Sequence, residues 1–157
     1  MPSDSQAVVG VGSVLDASSA RSAIDAGARF VVTPVLRPAV VEICRELGVP
    51  VICGAFSPTE ALAAHESGAD FIKIFPADIG GPGFVCSLLA PLPMLRINPT
   101  GGITAANCGA FIRAGCVAVG AGSSLVSDDL LEQQDWARLT AKAREFVTAV
   151  REARGPT

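Results

Sequence analysis

The sequence predicts an α/β fold built on a parallel sheet. Three observations carry that prediction: a recurring helix, glycine, strand phrase, strand-like runs without polar alternation, and helix-start signals between them. The phrase reads Ala26-Gly27-Ala28-Arg29-Phe30-Val31-Val32, Leu47-Gly48-Val49-Pro50-Val51-Ile52, Ser67-Gly68-Ala69-Asp70-Phe71-Ile72-Lys73-Ile74 and Ala114-Gly115-Cys116-Val117-Ala118-Val119. Glycine just past a helix end takes the left-handed conformation without a Cβ clash, so each phrase marks a helix stop followed by a strand. The four glycines lie 21, 20 and 47 residues apart, and the last interval holds two units.

The missing unit is predicted as a helix near Gly83 to Ala90 followed by the strand Met94-Leu95-Arg96-Ile97-Asn98, and a first strand is predicted at Ala7 to Gly10. That makes six strands, each followed by a helix, and strict alternation implies parallel pairing with right-handed crossovers. Ser57-Pro58-Thr59-Glu60 combines an N-cap, Pro at N1 and a capping-box Glu, and Asp16 and Thr104 are further N-caps. The last helix runs from about Asp135 to Glu152, with Trp136, Leu139, Ala143, Phe146, Val147 and Val150 forming an apolar stripe expected to face the core.

Composition supports the same class. The 157 residues suit one domain, residues 1–157. Half are hydrophobic, 17% are charged and the mean hydropathy is +0.46, as expected of strands buried on both faces. No apolar run reaches the roughly 18 residues needed to cross a bilayer, so no membrane partner is expected. A net charge of -3 and the absence of a dense Lys/Arg cluster argue against nucleic acid. Met1 to Gln6 has neither a basic nor an apolar leader region, which makes the cytoplasm the expected compartment. The five cysteines, at 44, 53, 86, 108 and 116, form no C-x-x-C pair and have one histidine, His65, for company. They read as small buried hydrophobes in a reducing compartment, and no metal or cofactor is expected. His65 falls within a helix, as a surface or packing residue.

Periodicity leaves a doubly wound open sheet and a (β/α)8 barrel both open. In either, ligands lie at the carboxyl ends of the strands. Three ends carry chemistry. Lys73 stands within Phe71-Ile72-Lys73-Ile74-Phe75-Pro76, where desolvation would favour the neutral amine that attacks a carbonyl. A lysine that snorkels or pairs with a carboxylate is the alternative. Asn98-Pro99-Thr100-Gly101-Gly102-Ile103-Thr104 places two glycines before a helix N-terminus, a setting that lets backbone N–H groups approach an anion. Val119-Gly120-Ala121-Gly122-Ser123-Ser124-Leu125 is a second glycine-rich strand end on the next unit, matching the phosphate site that barrels build after their last two strands.

Together with Val11-Gly12-Ser13-Val14-Leu15 and Thr33-Pro34, these segments resemble, in order and in register, the strand ends of the 2-keto-3-deoxy-6-phosphogluconate (KDPG) and 4-hydroxy-2-oxoglutarate (KHG) aldolases. The resemblance runs from about Ala7 to Glu152 and is most specific in K-x-F-P-A and P-T-G-G-I. It implies a (β/α)8 barrel of the TIM type, of which this chain holds about six βα units. It also implies a class I aldolase acting on a 2-keto acid, commonly phosphorylated, without a metal or cofactor. Lys73 matches the Schiff-base lysine, and Phe75 with Pro76 shapes the pocket beside it. Thr100 matches the contact to the pyruvate-derived carboxylate, with Ser13 and Pro34 lining the same pocket. Gly101, Gly102 and Ser123 match the site for a distal phosphate or carboxylate. The expected assembly is a homo-oligomer, commonly a trimer.

One departure bears on turnover. The family barrel begins with two βα units ahead of the Val11-Gly12-Ser13 segment, and these carry its catalytic glutamate and a carboxylate-binding arginine. Neither is assignable in this sequence. A positioned base contributes roughly 10²- to 10⁴-fold, so imine formation with reduced turnover is one expectation. The alternative is a shortened barrel or subunit that binds keto acid and phosphate and needs a partner chain for turnover. Asp16 and Asp78 are the nearest strand-end carboxylates, and Asp16 reads as a helix cap. A different phosphate-binding barrel, an isomerase or a synthase, would share the glycine turns but leaves Lys73 unexplained.

Overall fold

The expected β-branched runs pair in parallel. Strand β1 (Val31–Val32) lies beside β2 (Val51–Ala55), with Val31 opposite Val51 and Val32 opposite Ile52. The computed structural model describes residues 7–155, so the reading of Met1 to Gln6 lies outside the described residues. The chain divides into two compact units, Met1–Lys73 and Ile74–Thr157.

In the first unit, helices α1 (Ala17–Asp25), α2 (Pro38–Glu46) and α3 (Pro58–Glu66) alternate with β1, β2 and then β3 (Phe71–Ile74), in the strand order β1-β2-β3. The caps behave as the sequence dictates. Asp16 accepts from the Ser19 N–H, Ser57 and Glu60 complete a capping box, and Gly27, Gly48 and Gly68 all have positive φ just past their helices. Val31, Val40, Val41, Cys44, Val51 and Ala61 are fully buried, so the core of this unit is small and branched rather than aromatic. The first predicted strand is corrected here. Residues 7–10 form no strand; Val9 O accepts from Arg29 N, and Val11 makes an isolated parallel bridge to Val31. With β1 only two residues long, a longer ladder has nothing to pair with.

Thr33 is the one fully buried polar side chain of the described core. Its hydroxyl accepts from the Gly54 N–H at 3.1 Å and donates toward Cys53 Sγ at 3.5 Å. Thr33→Val keeps the shape but orphans a buried N–H, and is expected to lower stability by about 1–3 kcal/mol, measured by urea unfolding at constant m-value.

The second unit contains α4 (Ala77–Leu89), β4 (Ile97–Pro99), α5 (Ala105–Arg113), α6 (Asp128–Glu132) and α7 (Trp136–Arg154). Helix α4 is broken at Gly81 (φ 63°) ahead of Pro82, and the predicted helix corresponds to its second half. The strand predicted from Met94 starts only at Ile97, because a turn closed by Leu95 N donating to Leu92 O occupies the residues before it. The final predicted strand is likewise reduced. Val117 N donates to Ile97 O, Gly120 N donates to Pro99 O, and Thr100 and Gly120 form an isolated parallel bridge. Among the described residues there are four strands and two such bridges, where the phrase pattern predicts six strands.

Helix α7 starts where Asp135 caps it through the Arg138 N–H, and it packs on α5 around Phe146, which is 8% exposed. Trp136 and Val147 do not join the core as expected and are 55% and 47% exposed. The 19-residue helix has only the nine-residue α5 as its main packing partner, so its first turn overhangs and Val147, next to Phe146, points off the contact. Four cysteines are buried as expected, whereas Cys86 is exposed on α4. No helix among the described residues is long and apolar enough to cross a membrane.

Candidate active site

In the first unit, the three expected residues follow an isolated bridge, follow β1 and stand near the end of β3. Ser13 follows the Val11 bridge with φ 62°, an uncommon left-handed conformation for a side-chain-bearing residue, and it is exposed. Pro34 follows β1, half-buried, with its backbone against Gly54 of β2. Lys73 is the penultimate residue of β3, between Ile72 (1% exposed) and Ile74 (2% exposed). Side chains alternate along a strand, so Lys73 takes the face opposite those two isoleucines. It is half-buried, and the loss of water around it lowers its pKa below the ordinary lysine value of 10.5.

In the second unit, the remaining five expected residues converge. Phe75, Thr100, Gly101, Gly102 and Ser123 line one cleft of about 230 Å³. Thr100 is anchored on both sides, its N–H donating to Ile74 O and its carbonyl accepting from Ala77 N. Its hydroxyl packs so closely over Gly120 that a Cβ there would come within 2.4 Å of Oγ1. Gly101 and Gly102 have φ values of 92° and 67°, two successive left-handed residues that turn the chain from β4 into α5. Thr104 and Asn107 form a capping box, and Asn107 Nδ2 donates to Gly102 O at 2.8 Å, fixing the turn.

Two supports were missed by sequence reasoning. Asn107 is a local signal that could have been found, since T-x-x-N after Gly-Gly has capping-box spacing. Ser124 donates to Ile103 O across 21 residues, and no sequence spacing announces that bond.

The candidate carboxylates differ in character. Asp16 accepts from the Ser18 and Ser19 hydroxyls and the Ser19 N–H, which pull its pKa down to about 2. Such a weak base is suited to capping and unsuited to taking a proton near neutral pH. Asp78 is exposed in the first turn of α4, its side chain against Gly102. His65 lies half-buried in the last turn of α3. Among the described residues no group of three His, Cys, Asp or Glu could hold a metal ion.

Known proteins resemble this chain in sequence and in fold. Residues 2–142 match the family model described as KDPG and KHG aldolase. A 2-dehydro-3-deoxy-phosphogluconate aldolase of Haemophilus influenzae is 32% identical over 145 residues, which cover 92% of this chain and 68% of that one. A solved native KDPGal structure superposes with a TM-score of 0.88 at 34% identity, over 96% of this chain and 72% of the other. The 2-keto-3-deoxy-6-phosphogluconate aldolase of Zymomonas mobilis ZM4, solved with 3-phosphoglycerate, gives 0.80 at 30% identity, over 94% and 69%. The parallel α/β fold is of the TIM-barrel type, and the chain belongs to the KDPG and KHG aldolase family.

Proposed function

We propose that this chain is a class I aldolase that cleaves a 2-keto-3-deoxy sugar acid phosphate, or 4-hydroxy-2-oxoglutarate, to pyruvate and an aldehyde. The observation that carries the reading is Lys73, a half-buried lysine with a lowered pKa at the end of a parallel strand. Its neutral amine adds to the C2 carbonyl, water leaves, and a protonated imine remains. The C3–C4 bond then breaks, with its electron pair drawn toward the imine nitrogen and the C4 hydroxyl proton passing to a base. Protonation of the enamine at C3 and hydrolysis of the imine release pyruvate and free the lysine.

The other roles are those that the family resemblance implies. Thr100 holds the substrate carboxylate, and Ser13, Pro34 and Phe75 line the keto-acid end. The Gly101-Gly102 turn and Ser123 offer backbone and hydroxyl donors to a distal phosphate or carboxylate. The names of the relatives favour this reading over binding without turnover. We further propose the cytoplasm as its compartment and a homo-oligomer, a trimer, as its working state, for which sedimentation equilibrium is the check.

The deciding experiment is borohydride reduction in the presence of pyruvate, followed by peptide mapping for the reduced pyruvyl adduct on Lys73. Because only the deprotonated amine attacks, the trapping rate should rise with pH and reach half its maximum below pH 10.5, the ordinary lysine value. No adduct on Lys73 would rule the reading out.

A further inference from the structure

Two adjacent serines line the cleft, and their hydroxyls are in different states. The Ser124 hydroxyl donates to the Ile103 carbonyl, whereas the Ser123 hydroxyl makes no hydrogen bond among the described residues. A hydroxyl carries one proton, so Ser124 has only lone pairs left to offer, and the oxygens of a phosphate dianion only accept. Ser123 is therefore free to donate to an anion and Ser124 is not.

The Ser124 bond instead orients a turn. Gly101 and Gly102, with φ of 92° and 67°, lack the side chains that would restrict their peptide planes. The carbonyl and N–H of a trans peptide point in opposite directions, so fixing one fixes the other. Asn107 Nδ2 holds Gly102 O, which turns the Ile103 N–H away from Asn107. Ser124 holds the next carbonyl from the far side of the cleft, and the N–H across that peptide, on Thr104, donates to Asn107 Oδ1 at 2.8 Å. The N–H groups of Gly101, Gly102 and Ile103 donate to nothing among the described residues.

We propose that Ser124 is a positioning residue for the substrate's distal phosphate. Its hydroxyl ties the turn after β4 to the turn that carries Ser123, holding the N–H groups of one and the free hydroxyl of the other at the spacing a phosphate bridges. This rests on the reading of the cleft as the distal-anion site and deepens it. Donors fixed before binding lose less freedom when the ligand arrives, so the bond acts on affinity rather than on the imine chemistry.

The test compares Ser124→Ala and Ser124→Thr in the full chain. In Ser124→Ala, KM for a 2-keto-3-deoxy sugar acid phosphate should rise roughly three- to tenfold while kcat stays within about twofold. Borohydride trapping of pyruvate, which has no distal group, should keep its rate. Ser124→Thr retains the hydroxyl and should restore KM. An unchanged KM in Ser124→Ala, with or without a lower thermal midpoint, would overturn the inference, since the bond would then serve folding alone. So would a fall in pyruvate trapping that matches the change in KM, or a Ser124→Thr no better than Ser124→Ala. A wild-type chain that traps pyruvate but gains nothing in KM from the substrate's phosphate would instead defeat the reading of the cleft, and the inference with it.

Discussion

Lys73→Ala is expected to lose at least about 10⁴-fold in kcat for aldol cleavage and to show no reducible pyruvate adduct. Imine formation requires an uncharged primary amine at the strand end, and the sequence contains just one other lysine, Lys142, on α7. Lys73→Arg should be nearly as inactive. A guanidinium keeps the positive charge but stays protonated throughout the working range, so the pair separates nucleophilic from electrostatic roles. Each variant should retain cooperative unfolding, since Lys73 is only half-buried while the isoleucines on either side of it carry the packing. Trapping on Lys142 alone, or cleavage by Lys73→Ala at the wild-type rate, would move the chemistry elsewhere.

The features legible in the sequence are those that local physics settles. The capping box at Ser57 and Glu60 and the glycines after α1, α2, α3 and α5 need no information beyond three or four residues, and the structure reproduces them. Strand lengths are a different matter. Residues 7–10 and 117–119 carry enough apolar residues to read as strands, but their extent depends on a partner, and β1 and β4 offer two and three residues. The stripe on α7 failed for a related reason: period gives the face, while the length of α5 decides how much of that face is covered.

The site divides along the same line. Lys73 and the Gly101-Gly102 turn stand out in the sequence on physical grounds, an amine among apolar residues and glycines ahead of a helix, whereas Thr100 and Ser123 become candidates only through the family resemblance. Ser124 bonding to Ile103 acquires meaning only through residues brought together by folding. The structure also bears out the reading of Asp16 as a cap. Three donors hold its carboxylate and lower its pKa to about 2, as suits a cap and not a base.

The position of Pro34 depends on a residue that no motif marks. Gly54 is the fourth of the five residues of β2, where glycine ordinarily weakens a strand, and a Cβ built on it would stand 2.2 Å from the Pro34 carbonyl carbon and oxygen and 2.5 Å from Val35 N. These are backbone atoms, so no rotamer change relieves the collision, and Gly54 N is itself tied to Thr33 Oγ1. Gly54→Ala must therefore separate β2 from the loop after β1, with an expected loss of about 3 kcal/mol and a fall in melting temperature of roughly 6–12 °C. Gly12→Ala is the matched control, because a Cβ there meets nothing within 4 Å and its stability should be unchanged. If Pro34 lines the keto-acid pocket, displacing its loop should also raise KM for the substrate at temperatures where Gly54→Ala remains folded. A stable Gly54→Ala with unaltered KM would place Pro34 outside the pocket, whereas a rise in KM that exceeds any change in kcat would tie the close approach at Gly54 to substrate binding.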